Sequence, residues 1–334
     1  MADTKIEWAT KVWNPVTGCK RVSPGCDNCY AIRQSHRFSG FKGSKFEGVT
    51  KNIYMHDQVV NKIVQGVDWS GVVRCHERLL ELPFGWAKPQ RIFVNSMSDL
   101  FHDDVPEEFI FKVWKTMLQS PGHTYMILTK RPQRMKVVVK KIVISMRDWL
   151  AEQYTSLRAI PGVPWRNVWL GVSCENQAMA DQRIPHLLNT PAAVRFVSCE
   201  PMLGGIDLNK RELLCKTWSE GGATIGTYLD WVICGGESGP KARPMHPDWV
   251  RSVRDQCVAT SVPFFFKQHG EWLHESQVFD SGYSLDQFND KCRSDGFARV
   301  GKKVAGRLLD GREWNEFPRQ AGTLQRAPTE KVRG

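Results

Sequence analysis

From about residue 90 onward the chain repeats one alternation: a short run apolar on successive positions, a few polar or small residues, then an amphipathic stretch ending in a turn. The runs are RIFVNSMSD, TYMILTKRP, NVWLGVSCEN, VRFVSCEPM, DWVICGGESG and VPFFFKQHG. Strands apolar on both faces and separated by helices belong to a parallel sheet covered by helices. The intervening segments have helical spacing. PEEFIFKVWKTMLQS opens on Pro and two acids and lines Phe109, Val113, Trp114 and Met117 along one face, and HPDWVRSVRDQCVAT repeats the arrangement. With one more strand near Val12, the pattern predicts an α/β fold built on a parallel (β/α) barrel, closed or partial, of about six or seven strands. The chain reads as a single barrel domain over 1–334 with a C-terminal extension from about residue 271. Arg134 to Pro164 reads as a helical elaboration, and Leu208 to Tyr228 as an insertion carrying an exposed loop, SEGGATIGT.

A doubly wound open sheet shares this rhythm, so the choice rests on where the polar residues fall. Every run ends in them: Asn95, Ser96, Ser98 and Asp99; Thr129 and Lys130; Ser173 and Glu175; Ser198 and Glu200; Glu237 and Ser238; Lys267 and His269. In a parallel barrel the C-terminal strand ends meet at one mouth, where such enzymes place their chemistry. Any one of these residues serves equally well as a helix cap or loop starter. Six ends in succession point to a site.

Ahead of the first run stands TGCKRVSPGCDNCYA, Thr17 to Ala31, with cysteines at Cys19, Cys26 and Cys29. Ten cysteines in 334 residues are too sparse for a disulfide-stapled chain. The N-terminus reads as unprocessed, and Lys140 and Lys141 break the longest apolar runs well short of the roughly 20 residues a membrane span needs. The expectation is a cytoplasmic protein with no membrane partner, in which clustered reduced thiols bind metal. A formal charge of +11 favours an anionic partner such as DNA, RNA or a nucleotide, with basic residues concentrated in KKVAGR, RQAGTLQR and the last few positions. A structural zinc takes four ligands, and His36 would complete Cys-x6-Cys-x2-Cys-x6-His as a zinc-stabilised, nucleic-acid-binding knuckle. A four-iron cluster instead uses three thiolates on three irons and leaves the fourth iron open. The triplet by itself admits both. A third reading is a barrel hydrolase with a divalent metal on Asp99, His102, Asp103 and Glu200, residues that helix starts also account for.

CDNCYA, a cysteine loop after the first strand and a following α/β barrel resemble the radical S-adenosylmethionine enzymes. More closely, IEWATKVWNPVTGCKRVSPGCDNCYA, RIFVNSMSDLFHDDVP, LTKRPQRM, VRFVSCEPMLG, WVICGGESGPKARPMHPDWVRSVRDQC and PFFFKQHGEW resemble a phage-associated family of three-Cys-motif proteins, over nearly the whole chain. The broader superfamily usually shows Cys-x3-Cys-x2-Cys with an aromatic residue before the third cysteine. Here the first gap is x6, Asn28 precedes Cys29 and Tyr30 follows it.

The resemblance implies a [4Fe-4S] cluster on Cys19, Cys26 and Cys29, with S-adenosylmethionine on the open iron through its methionyl amine and carboxylate. It implies an electron donor, a 5'-deoxyadenosyl radical that abstracts a substrate hydrogen, and a phage- or prophage-encoded protein that modifies or repairs DNA or RNA in a bacterial host. Cofactor contacts are expected from Ser98, Lys130, Glu200, Gly235, Gly236, Glu237, Ser238 and Lys267 at the mouth. Gly235 and Gly236 permit close backbone approach, Glu237 accepts from an ammonium or ribose hydroxyl, and Glu200 holds ribose. Lys130 and Lys267, with Arg131 and His269, supply positive charge. The superfamily carries a similar Gly-Gly-Glu early in the barrel, whereas here it comes late. Cys174 and Cys199, at equivalent places on adjacent strands, are the expected catalytic hydrogen-atom donors; Cys75, Cys215, Cys257 and Cys292 read as packing.

Overall fold

A computed structural model of the chain describes residues 4, 6–57, 62–153, 164–209, 213–214, 217–218, 224–225 and 228–318. Seven strands make one sheet: β1 (Lys11–Trp13), β2 (Arg91–Val94), β3 (Thr124–Thr129), β4 (Val168–Ser173), β5 (Val194–Cys199), β6 (Trp231–Cys234) and β7 (Phe264–Phe266). Each pairs in parallel with its neighbour in sequence, so the order across the sheet is the order along the chain. A doubly wound sheet would reverse direction at a switch point; this one winds one way, as a barrel does. Among the described residues β1 and β7 do not pair, which leaves a partial barrel. The flanking helices are α1 (Tyr30–Ser39), α2 (Glu107–Gln119), α3 (Pro132–Gln153), α4 (Gln177–Leu188) and α5 (Pro247–Ala259). The elaboration expected up to Pro164 is helical as far as Gln153, and 154–163 lie outside the described residues. So do most of SEGGATIGT, Cys215, the N-terminal three residues and the basic tail from 319.

Side chains alternate across a strand, and here the alternation divides the apolar residues into two cores. One set, including Val94, Ile127, Leu170, Val172, Val197 and Val232, faces the helices and packs with Phe109, Val113, Trp114 and Met117 of α2 and with Val250 and Val253 of α5. The other set faces the concave side. Phe93, Met126, Trp169, Phe196, Trp231, Ile233 and Phe265 gather there with Trp8 from the N-terminal segment. Trp231 is the hub, its ring 6.3 Å from Trp8, 6.1 Å from Trp169, 5.7 Å from Phe196 and 6.1 Å from Phe265. The concave face is therefore a filled aromatic floor.

The C-terminal segment closes the open edge. Phe266 N donates to Trp314 O at 2.9 Å and Glu316 N to Phe264 O at 3.2 Å, so the chain near Asn315 runs antiparallel along β7. Phe317 stacks 5.1 Å from Trp231, whose indole N–H donates to Glu316 O at 2.8 Å. Pairing of this kind blocks an edge strand from recruiting another chain. A hairpin the sequence pattern did not predict, Thr50–Asp57 with Lys62–Trp69, packs beside α1.

The tightest point of the floor is Gly171, where a Cβ would lie 2.5 Å from the Phe196 ring. Gly171→Ala is expected to destabilise the fold by about 1–3 kcal/mol in urea unfolding through overpacking. Phe196→Leu in the same chain should cost less than the sum of the two single changes. An unperturbed Gly171→Ala midpoint would contradict this packing.

Candidate functional site

Beyond the strand ends the same alternation sets the direction of each polar residue. Continuing the concave-facing positions Phe93, Met126, Trp169, Phe196, Ile233 and Phe265 by steps of two arrives at Asn95, Lys130, Ser173 and Glu175, Ser198 and Glu200, Gly235, and Lys267. These form a polar rim above the aromatic floor. Lys267 Nζ pairs with Glu200 Oε1 at 3.1 Å, and the Ser198 hydroxyl donates to Glu200 Oε2 at 3.1 Å. A Cβ on Gly235 would come within 2.5 Å of Glu200 Oε1, so glycine there is what lets the carboxylate lie across β5, β6 and β7. Burial pushes the Lys267 ammonium down, but Glu200 and Glu7 outweigh it and hold the amine above its ordinary value.

The cysteine loop lies over this rim. Cys26 closes a short turn, Pro24–Cys26, and Cys29 is the N-cap of α1. Three strand ends grip it. Past β2, the buried Asp99 accepts from Thr129 Oγ1 at 2.7 Å and from Arg131 Nη1 at 3.0 Å, while Arg131 Nη2 donates to Lys20 O at 3.2 Å and Nη1 lies 3.7 Å from Cys19 Sγ. Past β4, the fully buried Glu175 accepts the Gly25 amide at 3.0 Å and Arg183 Nη1 of α4 at 2.9 Å. Past β6, Glu237 accepts from Asn28 Nδ2 at 3.0 Å and Arg243 Nη2 at 2.7 Å, and Arg243 reaches on to Pro24 O at 2.9 Å and Asp27 Oδ2 at 3.2 Å. The proline-glycine turn has a physical reason: a Cβ on Gly25 would sit 3.0 Å from the Glu175 carboxyl carbon.

The electrostatics follow from these contacts. Burial alone would raise Glu175, yet the Ser23 hydroxyl, Arg183 and the Gly25 amide bring it below the ordinary carboxylate range. Arg243 and Asn28 do the same for Glu237 against its burial. The thiols go the other way. Burial, helped by Asp99, pushes Cys19 up to about 12, and burial raises Cys29 against the opposing pull of Lys130.

Other expected site residues fall elsewhere. The Ser98 hydroxyl donates to Val16 O at 2.9 Å and steadies the base of the loop. Gly236 serves a backbone crossing, since its Cβ would lie 1.9 Å from His269 O, and Ser238 is half-buried just past Glu237. Cys174 and Cys199 share the register of Val172 and Val197 and lie in the helix-facing core, turned away from the rim. Cys174 Sγ approaches Met179 O at 3.8 Å, and burial keeps its proton well above the usual thiol range. His36 lies seven residues beyond Cys29 on α1, about 10 Å along the axis, and its Nδ1 is 3.2 Å from Thr50 Oγ1. Asp99 is engaged by Arg131, and His102 Nδ1 accepts the Asp104 amide at 3.2 Å. Among the described residues no three His, Cys, Asp or Glu side chains converge as ligands of one metal ion.

Arg183, Arg243 and Asn28 went unmarked by sequence reasoning. Only the strand-end acids they bind carried a signal. The chain matches the model of a family described as "Protein of unknown function (DUF5131)" over residues 3–318. No curated protein and no solved structure matches it.

Arg183→Met leaves Glu175 as a buried, uncompensated carboxylate, and a loss of about 3–5 kcal/mol is expected in denaturant unfolding, with Glu175→Gln in the same chain recovering part of it. Because Glu175 and Glu237 are depressed in the fold, their stabilisation is present above the ordinary glutamate value of about 4.3 and is lost as pH falls through the lower folded values. Proteolysis within 20–29 should therefore accelerate in acid before global unfolding. Uniform protection across that range would refute the clamp.

Proposed function

We propose that the chain, which belongs to the DUF5131 family, is an iron–sulfur enzyme of the radical S-adenosylmethionine type acting on a nucleic acid or nucleotide. The observation that carries this reading is the cysteine loop itself, three thiols on one segment fastened over the rim of a partial parallel barrel by three strand ends. The donor set fits the group. A four-iron cluster takes its thiolates on separate irons, so its ligands stand apart, whereas a zinc draws four ligands within one tetrahedron. His36, about two helical turns from Cys29 and engaged by Thr50, does not complete a zinc set with the three cysteines, which favours the cluster over zinc.

Cys19, Cys26 and Cys29 would hold the cluster. When bound, cluster and S-adenosylmethionine supply one-electron cleavage to a 5'-deoxyadenosyl radical. The chain's own residues bind and orient. Glu200, fixed by Ser198 and Lys267, offers a rigid carboxylate to an ammonium or ribose hydroxyl. Lys130 and Lys267 offer positive charge to a carboxylate, and Gly235 keeps the rim open beside them. The floor around Trp231 excludes water from below. Glu237, bound to Arg243 and Asn28, positions the loop, so the role expected for it at the cofactor passes to Glu200. The charge of +11 supports a polyanionic substrate.

Purified without oxygen, the protein should be brown, carry about four irons with matching sulfide, bleach with dithionite and form 5'-deoxyadenosine from S-adenosylmethionine. Cys19→Ala, Cys26→Ala or Cys29→Ala should each lose iron. Glu200→Gln should keep it and lower 5'-deoxyadenosine formation about 10- to 100-fold, the worth of one charged hydrogen bond. A colourless protein with one tightly held zinc would sink the reading.

A further inference from the structure

A cavity opens beside Thr17, at the base of the loop. It has a volume of about 470 Å³ and is lined in part by Lys45, Glu47, Arg74, His76, Glu77 and Arg78. Both acids are already engaged: Glu47 Oε2 accepts the Gly43 amide at 2.7 Å, and Glu77 Oε1 pairs with Lys112 at 2.7 Å. Arg74 donates to the Glu47 carbonyl. Among the described residues neither Lys45 nor Arg78 has a carboxylate at ion-pair distance, and Lys45 lies 5.2 Å over the Phe46 ring. Among the described residues the cavity thus gathers three cations, none of which is paired with a carboxylate at ion-pair distance, beside two acids that are held by other partners.

The same cations act, together with burial, on the titratable groups beside them. Burial and then Arg78 pull the Lys45 ammonium below its ordinary value. Burial, followed by Lys45, Arg78 and Arg74, takes His76 down to about 4, so the imidazole is neutral at pH 7, with Nε2 2.8 Å from Thr17 Oγ1. An anion with several acceptor oxygens relieves such repulsion and matches the Arg and Lys donors.

The cavity is also joined to the cysteine loop. Thr17, two residues before Cys19, donates through Oγ1 to Lys45 O at 2.8 Å and pairs antiparallel with Arg74.

We propose that Lys45, Arg74 and Arg78 form a phosphate-binding site, and that it anchors a phosphate of the nucleic-acid or nucleotide substrate while the cysteine loop faces the group to be modified. The phosphate site stands on the cavity alone; its service to the substrate rests on the function proposed above.

The test is fluorescence anisotropy of the full chain with a labelled oligonucleotide over a range of salt, with inorganic phosphate and a nucleoside monophosphate as competitors. The Lys45→Gln/Arg78→Gln variant should bind at least about tenfold more weakly, and its log–log salt slope should fall by about 0.7–0.9 for each phosphate no longer neutralised. Lys141→Gln, an exposed pair with Glu107 on the helical side, should leave both unchanged. Competition by the monophosphate or by phosphate as effective as by unlabelled oligonucleotide assigns the site to a lone phosphate group, and competition by oligonucleotide alone assigns it to a backbone phosphate; either supports it. Failure of every phosphate ligand to bind, or unchanged affinity and slope in the double variant with matching circular dichroism, overturns the site. Because the assay needs no iron, its failure is distinct from failure of the iron and cleavage assays.

Discussion

The eleven-residue loop from Cys19 to Cys29 packs its two end cysteines against a small apolar cluster that includes Ile32, Phe46 and Trp69, and arginine–carboxylate pairs at three strand ends set its place over the rim. In two of them the arginine or its acid bonds the loop while the partner neutralises the buried charge; in the third, Glu237 and Arg243 both reach it. Buried pairs of this kind contribute little net stability, because desolvation offsets most of their attraction, but each is costly to leave half made. They therefore penalise wrong placement more than they reward the right one. Contacts at Lys20, Gly25 and Asn28 fix the loop at three points along its length, enough to define its plane above the rim.

The six polar strand ends thereby fall into two groups. Asp99, Glu175 and Glu237 are each paired with an arginine, and the loop is bonded by Glu175 and Glu237 directly and, at Asp99, through Arg131. Lys130, Glu200 and Lys267 remain on the rim, where Lys267 and Ser198 hold Glu200. Glutamates that look alike in sequence are separated by their partners. Glu175 has an arginine eight positions on and Glu237 one six positions on, whereas Glu200 meets a lysine two strands away.

The sheet was legible because its strands are apolar on both faces, and both faces are indeed buried, by helices on one side and aromatics on the other. Winding direction was legible only through the polar ends. The site was legible in part: the loop and the rim residues Lys130, Glu200, Gly235 and Lys267 come together, but Cys174 and Cys199 do not join them. Their direction follows from period two, since Val172 and Val197 precede them on the helix-facing side. At Gly236 the glycine has a reason in the fold itself: glycine permits close approach of backbone as readily as of ligand, and here His269 is the neighbour. The hairpin at Thr50–Trp69 escaped because TKNIYMHD mixes polar residues through its length, and Arg183 and Arg243 escaped because neither a helical nor a loop arginine gives a sign of what it will bind.

The clamp also bears on the chemistry of the thiols. Burial and Asp99 hold the Cys19 proton on, so a metal bound there, as proposed, would have to displace it. Arg131 lies between the two anions that would then exist, 3.0 Å from Asp99 Oδ2 and 3.7 Å from the Cys19 sulfur. Without metal it serves one carboxylate and the Lys20 carbonyl; with a thiolate present it faces a second negative charge across the same guanidinium. Lys130 stands in the same relation to Cys29, whose proton it already weakens. Two strand-end cations thus oppose the burial of both sulfurs, and one of them, Arg131, also positions the loop.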